Sequence, residues 1–331
     1  MAVQVVSAAE ETFMLRVMVF IVGLVATSAF AAAGKAPPLV DAGWLHAHLQ
    51  DETLVVLDIR SAIDNGGDRS GFNQAHIPGA VYSNYATDGW RETREGVQGL
   101  LPPVRNVERL IGGLGIGNSH TVVIVPAGTG PTDFGSAARV YWTFRVLGHD
   151  QVSILNGGFA GWQAAGYDVA SGDGGQRPVA SFQGELQEHL IATLAEVEQA
   201  RTEQAQLVDA RPEDYFGGET RSPAAKAPGT LPGALNLPHH TLLSEQNQAW
   251  YLDVAHLTER INEAELNRDA ETIAFCNTGH WAATDWFVLS EVAGFDRVAL
   301  YDGSMAEWSQ DSSRPMQVAK RGLGKLLDIF N

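Results

Sequence analysis

The strongest constraint on how this chain folds is that it carries the same pattern twice. Val56-Leu57-Asp58-Ile59-Arg60 is answered by Leu207-Val208-Asp209-Ala210-Arg211, and Ile77-Pro78-Gly79-Ala80 by Leu231-Pro232-Gly233-Ala234. Further on, Gly148 is answered by Gly294, and Leu155 to Trp162 by Tyr301 to Trp308. The offsets are 151, 154 and, for the last two landmarks, 146 residues. A nearly constant offset means tandem duplication of one α/β unit, in which short apolar runs alternate with helix-like segments. Each half is then expected to build its own mainly parallel sheet flanked by helices. A length of 331 residues, too many for one ordinary core, agrees. Ser171-Gly172-Asp173-Gly174-Gly175 breaks the pattern between the halves. It sets a first domain over 38–170, a linker over 171–190, a second domain over 191–315 and a tail over 316–331.

Within the first unit the pattern predicts a helix over 40–50, strands over 53–59, 121–125 and 152–155, and helices over 107–114 and 137–147. Gly-rich loops are predicted over 65–71 and 128–135. The units differ where chemistry would sit. The apolar run Thr272-Ile273-Ala274-Phe275 ends in Cys276, the only cysteine of the chain. The polar loop Asn277-Thr278-Gly279-His280 follows, then a helix-like segment through Trp281, Ala282, Trp286 and Leu289. In the first unit Val125 ends the matching strand, and Pro126 stands where Cys276 stands in the second. Counted to the closing glycine, the first loop reads four residues longer. A thiol at the carboxyl end of a strand, facing a helix N-terminus, lies where open α/β sheets place their chemistry, and the surrounding N–H groups suit an anionic sulfur. A single cysteine excludes an intramolecular disulfide and any multi-thiolate metal site.

Formal net charge is −17, and no basic stripe is interleaved with aromatics, so a nucleic-acid partner is not expected. At the N-terminus, Arg16 precedes the apolar stretch Val17 to Ala33, which ends in Ala29-Phe30-Ala31-Ala32-Ala33. This reads as a signal peptide over 1–33, beginning at Met1 or Met14, and implies a periplasmic or secreted protein without stable membrane association once cleaved. A free thiol in an oxidising compartment calls for a reason, and catalysis is one. The C-terminal Lys320 to Phe330 is basic and apolar and is expected to pack on its own domain.

The D-x-R element, the x-P-G-A turn, the strand-Cys-loop-helix and the G-x-x-x-x-W ending, all duplicated, resemble a two-domain rhodanese-type sulfurtransferase of the thiosulfate / 3-mercaptopyruvate family. The likeness runs from about residue 38 to 315 and is close over Arg139 to Phe159. It implies an inactive N-terminal and a catalytic C-terminal domain, with an active loop from Cys276 to Trp281 at their interface. It also implies that Cys276 takes sulfur from thiosulfate or a related donor as a persulfide and passes it to cyanide or a thiol. Neither metal nor organic cofactor is implied. Backbone N–H groups of Asn277 to Ala282 are expected to hold the anionic sulfur. Thiosulfate-type members carry basic residues early in the loop, and mercaptopyruvate-type members carry Gly-Ser-Gly after the cysteine. Asn277-Thr278-Gly279-His280 matches neither, although Thr278 places a hydroxyl where the second type has serine.

In the H-x-P-G-A turn His76 matches a histidine given an accessory role in that type. Tyr215-Phe216 stands where the family has arginine before an aromatic residue, which leaves Arg221 as the candidate anion-binding residue, ahead of Lys226, His239, His240 and His280. Asp209 and Arg211 are expected to pair structurally. Two other donor–acceptor schemes stay open: 3-mercaptopyruvate as donor, and a carrier that holds persulfide for a protein acceptor without turnover. A phosphatase-like reading fails, because Cys-x5-Arg would need arginine where Ala282 stands.

Overall fold

A computed structural model describes residues 36–201 and 205–318. Residues 1–33, read above as a signal peptide, and Lys320 to Phe330 lie outside the described residues. In the first domain β1 (Leu39–Val40), α1 (Ala42–His48), β2 (Leu54–Asp58), α2 (Arg69–Gln74) and β3 (Val81–Tyr82) are followed by a hairpin, β4 (Glu92–Arg94) and β5 (Val97–Leu100). Then come α3 (Val104–Gly113), β6 (Thr121–Val125), α4 (Pro131–Val146), β7 (Val152–Leu155) and α5 (Gly158–Ala164). The second domain opens with β8 (Ile191–Ala192), α6 (Leu194–Ala200), β9 (Gln206–Asp209), α7 (Glu213–Phe216) and β10 (Leu235–Asn236). Its hairpin is β11 (Leu243–Gln246) and β12 (Ala249–Leu252), followed by α8 (Leu257–Glu263), β13 (Thr272–Phe275), α9 (Trp281–Trp286), β14 (Val298–Tyr301) and α10 (Ser304–Trp308).

The duplication read from the sequence is literal. The sheets run β1-β7-β6-β2-β3 and β8-β14-β13-β9-β10, parallel throughout and in the same order counted from each domain's first strand. Strands such as Thr121–Val125, β-branched at every position, are buried on both faces, as a parallel sheet covered by helices requires. Their alternation feeds two cores. Val55, Leu57, Val122 and Ile124 face a core that continues into the second domain through Val208, Ala274, Cys276 and Leu300. Val56, Val123 and Val125 face an outer core with Phe72, Ile77 and Trp162, and Leu207, Ile273 and Phe275 face its counterpart with Met305 and Trp308.

Strand register equates Pro126 with Cys276, since Val125 pairs with Asp58 as Phe275 pairs with Asp209. The four extra residues of the first unit are not in the loop, however. Helices α4 and α9 each open five residues after these positions, at Pro131 and Trp281. α4 then runs 16 residues, whereas α9 covers six and continues as a six-residue π-helical stretch, Phe287–Val292. The difference therefore lies in helix length. Residues 131–135 are helical because Pro131 occupies the first helical position, which suits its fixed φ. Residues 69–71, also read as loop, begin α2, capped by the Asp68 carboxylate on Gly71 N–H at 3.0 Å. α4 is buried almost all round because it lies between its own sheet and the second domain. Tyr141 meets Phe287 edge to face at 4.9 Å, and its hydroxyl donates to Glu291 at 2.9 Å.

Candidate active site

Cys276 follows β13 directly, and a serine holds its loop. Ser304 Oγ accepts from the N–H groups of Cys276 and of Gly279, both at 3.0 Å, and donates to Tyr301 O at 2.8 Å. The carbonyls of Cys276 and Asn277 accept from Met305 N–H at 3.1 Å and Ala306 N–H at 2.9 Å, in the first turn of α10. Gly279, at φ +66°, cannot carry a side chain: a Cβ there would lie 2.6 Å from Arg139 Nη1 and 2.8 Å from Asp302 O. Among the described residues no acceptor takes the N–H of Asn277, Thr278, His280, Trp281 or Ala282, so these donors are available to an anionic sulfur. Gly279 N–H, expected in that set, belongs to Ser304 instead.

The first domain completes the loop. Arg139 of α4, with 0% exposure, donates to Gly279 O at 3.0 Å, to Gly99 O at 3.0 Å and to the Asp302 carboxylate. The other Asp302 oxygen accepts from Leu101 N–H at 2.6 Å. His280 Nε2–H donates to Thr132 O at 2.8 Å, so its Nδ1 accepts from the Tyr85 hydroxyl at 2.7 Å. Burial, reinforced by the Arg91 charge, holds the His280 pKa well below the usual histidine value, and the ring is a neutral strut between the domains. Trp281 stacks on His239 with ring centroids 4.5 Å apart and meets Tyr215 edge to face.

Cys276 is 1% exposed, yet it lines an open-mouthed cavity of about 380 Å³ between the two domains. Ile63, Arg91, Gln98 and Thr132 line it from the first domain. From the second come Tyr215, Ser222, Pro223 and Ala224, together with Asn277, Thr278, His280 and Trp281 of the loop region. Gly279 and Ala282 do not line it; one is the turn beneath the loop and the other lies within α9. The matching loop of the first domain is closed on itself. There the Asp133 carboxylate accepts from Ala127 N–H at 3.2 Å and Gly128 N–H at 2.7 Å, an internal acceptor in the cradle. Burial pushes the pKa of Asp133 up to about 7, against the pull of these N–H groups.

Two candidates from the sequence lie outside the cavity lining. Arg221 does not line the cavity, although Ser222 to Ala224 do; its guanidinium turns back to donate to Ala225 O within its own loop. His76 is buried against Phe72, its Nδ1 bonded to Phe72 O at 2.8 Å, among residues of the outer core and away from the cavity lining. Of the weaker cation candidates, His280 alone lines the cavity. Lys226 and His240 are outside the lining, and burial lowers the His239 pKa to about 4, which leaves it neutral. Asp209 and Arg211 pair as expected, with Nε to Oδ1 at 2.8 Å, and Asp58 and Arg60 repeat the pair in the first domain. Sequence reasoning missed Arg91, Arg139, Tyr85 and Ser304. Only Ser304 left a readable signal: it replaces the glycine of the matching first-domain motif, and both Ser304 and Gly158 have left-handed backbone, at φ +50° and +57°.

The chain is similar to known proteins along most of its length. The Rhodanese-like domain family matches residues 41–165 and again 193–311. The thiosulfate/3-mercaptopyruvate sulfurtransferases 1 (mitochondrial) and 2 of Arabidopsis thaliana are each 30% identical to this chain. Those matches cover 87% of this chain and 80% of the first relative, and 89% and 90% for the second. The crystal structure of SseA from Escherichia coli, described as a 3-mercaptopyruvate sulfotransferase with the rhodanese fold, superposes with a TM-score of 0.67 at 26% identity, over 80% of this chain and 98% of that one. Matched in both halves and along most of its length, the chain belongs to the rhodanese family as a two-domain sulfurtransferase.

Proposed function

We propose that the protein moves sulfane sulfur from thiosulfate or a related anionic donor to cyanide or a thiol, through a persulfide on Cys276. The observation that carries this reading is that the chain's one thiol lines the interdomain cavity, at the head of a loop in which the N–H groups of Asn277, Thr278, His280, Trp281 and Ala282 have no acceptor among the described residues. In the first half-reaction the Cys276 thiolate attacks the outer sulfur of the donor. A new S–S bond forms, the donor's own S–S bond breaks, and sulfite leaves with the electron pair. The terminal persulfide sulfur then carries the negative charge, which the N–H groups of the loop stabilise. In the second half-reaction the acceptor attacks that sulfur and the Cys276 thiolate leaves. No net redox equivalent is required.

3-Mercaptopyruvate is the second donor reading, because Thr278, which carries a hydroxyl where that type has serine, lines the cavity together with Cys276. There the C–S bond breaks, and the pyruvate enolate takes up a proton. Thiocyanate formation with each donor tests the scheme, and Cys276→Ser is expected to abolish it with both. Thiocyanate formation by that variant would overturn the assignment, and one equivalent of sulfur loaded without turnover would mark a carrier for a protein acceptor. Export to the periplasm or secretion is proposed on the leader-like Arg16 to Ala33, with N-terminal sequencing of the mature protein as its test.

A further inference from the structure

We propose that Arg91, contributed by the domain without a nucleophile, binds the anionic group of the sulfur donor; this rests on the sulfur-transfer reading of the Cys276 cavity. Arg91 is the one arginine or lysine among the described residues that line the cavity. It is half-buried, and among the described residues its guanidinium has neither a hydrogen-bond acceptor nor a carboxylate partner. It lies over the Tyr85 ring, 5.0 Å from the centroid, and the Tyr85 hydroxyl is bonded to His280 of the loop. A Cβ on Gly99 would be 2.5 Å from Thr278 O and 3.4 Å from Arg91 Nη1, so guanidinium and active loop border one spot. The hairpin that follows Arg91 is tied to the second domain by Leu101 N–H on Asp302, and through Arg139 of its own domain, which donates to both Gly99 O and Gly279 O. On its other side the fully buried Trp90 is anchored on Ser83 Oγ at 3.0 Å.

A donor anion here would enter a cavity within a protein of net charge −17, and this guanidinium is the cation that meets it. Tyr215 stands where the second domain was expected to supply an arginine, so the charge has moved across the domain boundary. The shared chemistry is a carboxylate or sulfonate edge facing a guanidinium fork.

Because Cys276 is the only thiol, its charge environment can be read without turnover. Labelling would use neutral methyl methanethiosulfonate and anionic sulfonatoethyl methanethiosulfonate. In both, the thiolate forms a mixed disulfide and methanesulfinate leaves. Arg91→Gln is expected to lower the anionic-to-neutral rate ratio about tenfold, whereas Arg94→Gln, the same charge change on an exposed part of that hairpin, leaves it unchanged. Arg91→Lys retains the ratio. An unchanged neutral rate shows that the site is folded. In turnover, Arg91→Gln raises KM at least tenfold with little change in kcat, and the thiosulfate and 3-mercaptopyruvate arms show which anion uses the contact. A wild-type labelling ratio together with wild-type KM values in Arg91→Gln overturns the proposal. Failure of the wild-type protein to turn over either donor, with the labelling ratio still dependent on Arg91, would instead refute the sulfur-transfer reading alone.

Discussion

Ser304 shows how one side chain separates the copy that carries the thiol from the copy that does not. The first domain uses Gly158 at the matching left-handed position; the second accepts the conformational cost of serine there and gains an oxygen that fixes two N–H groups of the Cys276 loop. Ser304→Gly would relieve roughly 1 kcal/mol of backbone strain while losing three hydrogen bonds worth about 1 kcal/mol each. Stability in a urea titration is therefore expected to fall by about 2 kcal/mol, while kcat, measured where the variant is folded, falls on the order of tenfold. Asp285, in α9 behind the loop, is fully buried and has no hydrogen-bond partner among the described residues for either carboxylate oxygen. Burial, with the nearby Asp209 charge second, raises its pKa well above the usual carboxylate value. The folded state therefore keeps a proton that the unfolded chain releases above about pH 4, and stability falls as pH rises above that point. Asp285→Asn removes the ionisation. Its urea midpoint should exceed wild type by the equivalent of about 1–3 kcal/mol at pH 7.5, and the gap should close toward pH 4.

At the scale of elements, the strand-loop-helix unit was legible and its internal bookkeeping was not. The run Thr272 to Phe275, the lone cysteine and the following glycine mark a strand end and a turn through propensity and composition alone. The first domain's extra residues could be counted but not placed. A helix that opens on Pro131 and Gly135 looks like a loop until its burial against the other domain is known. The hairpin β4/β5 is a similar case. Nothing in Glu92 to Leu100 announces that Gly99, at φ +89°, must lie against Thr278 O. Gly99→Ala meets both a left-handed backbone and that carbonyl at 2.5 Å. It should raise KM and lower kcat together, in steady-state assays, by pushing the hairpin off the loop.

On the scale of the whole molecule, the two domains share a core, and the active loop is part of the seam. Arg139 links α4, the β4/β5 hairpin, Gly279 and Asp302 in one buried cluster. Removing one partner of a buried ion pair leaves the other charge uncompensated, a loss of about 3–5 kcal/mol. Arg139→Met is expected to show a loss of that size in chemical unfolding, with sulfur transfer falling even under conditions where the variant remains folded. The domain without a thiol is thus more than ballast. Its own loop is closed by Asp133, and what it contributes to the cavity is one wall, with Arg91, Gln98 and Thr132 on it.

By itself the sequence determined the duplication, the mainly parallel α/β sheet each half would build, and the thiol at the strand end. These follow from local patterns repeated at a constant spacing and from a residue type that occurs once. Tertiary structure alone decided which side chains meet that thiol. Arg91 and Tyr85 approach from nearly two hundred residues away, and Arg221, only 55 positions before Cys276, turns elsewhere. Local propensity sets the elements, but the packing of two sheets through α4 and α9 sets the neighbours, and no single-chain periodicity encodes contacts across that seam.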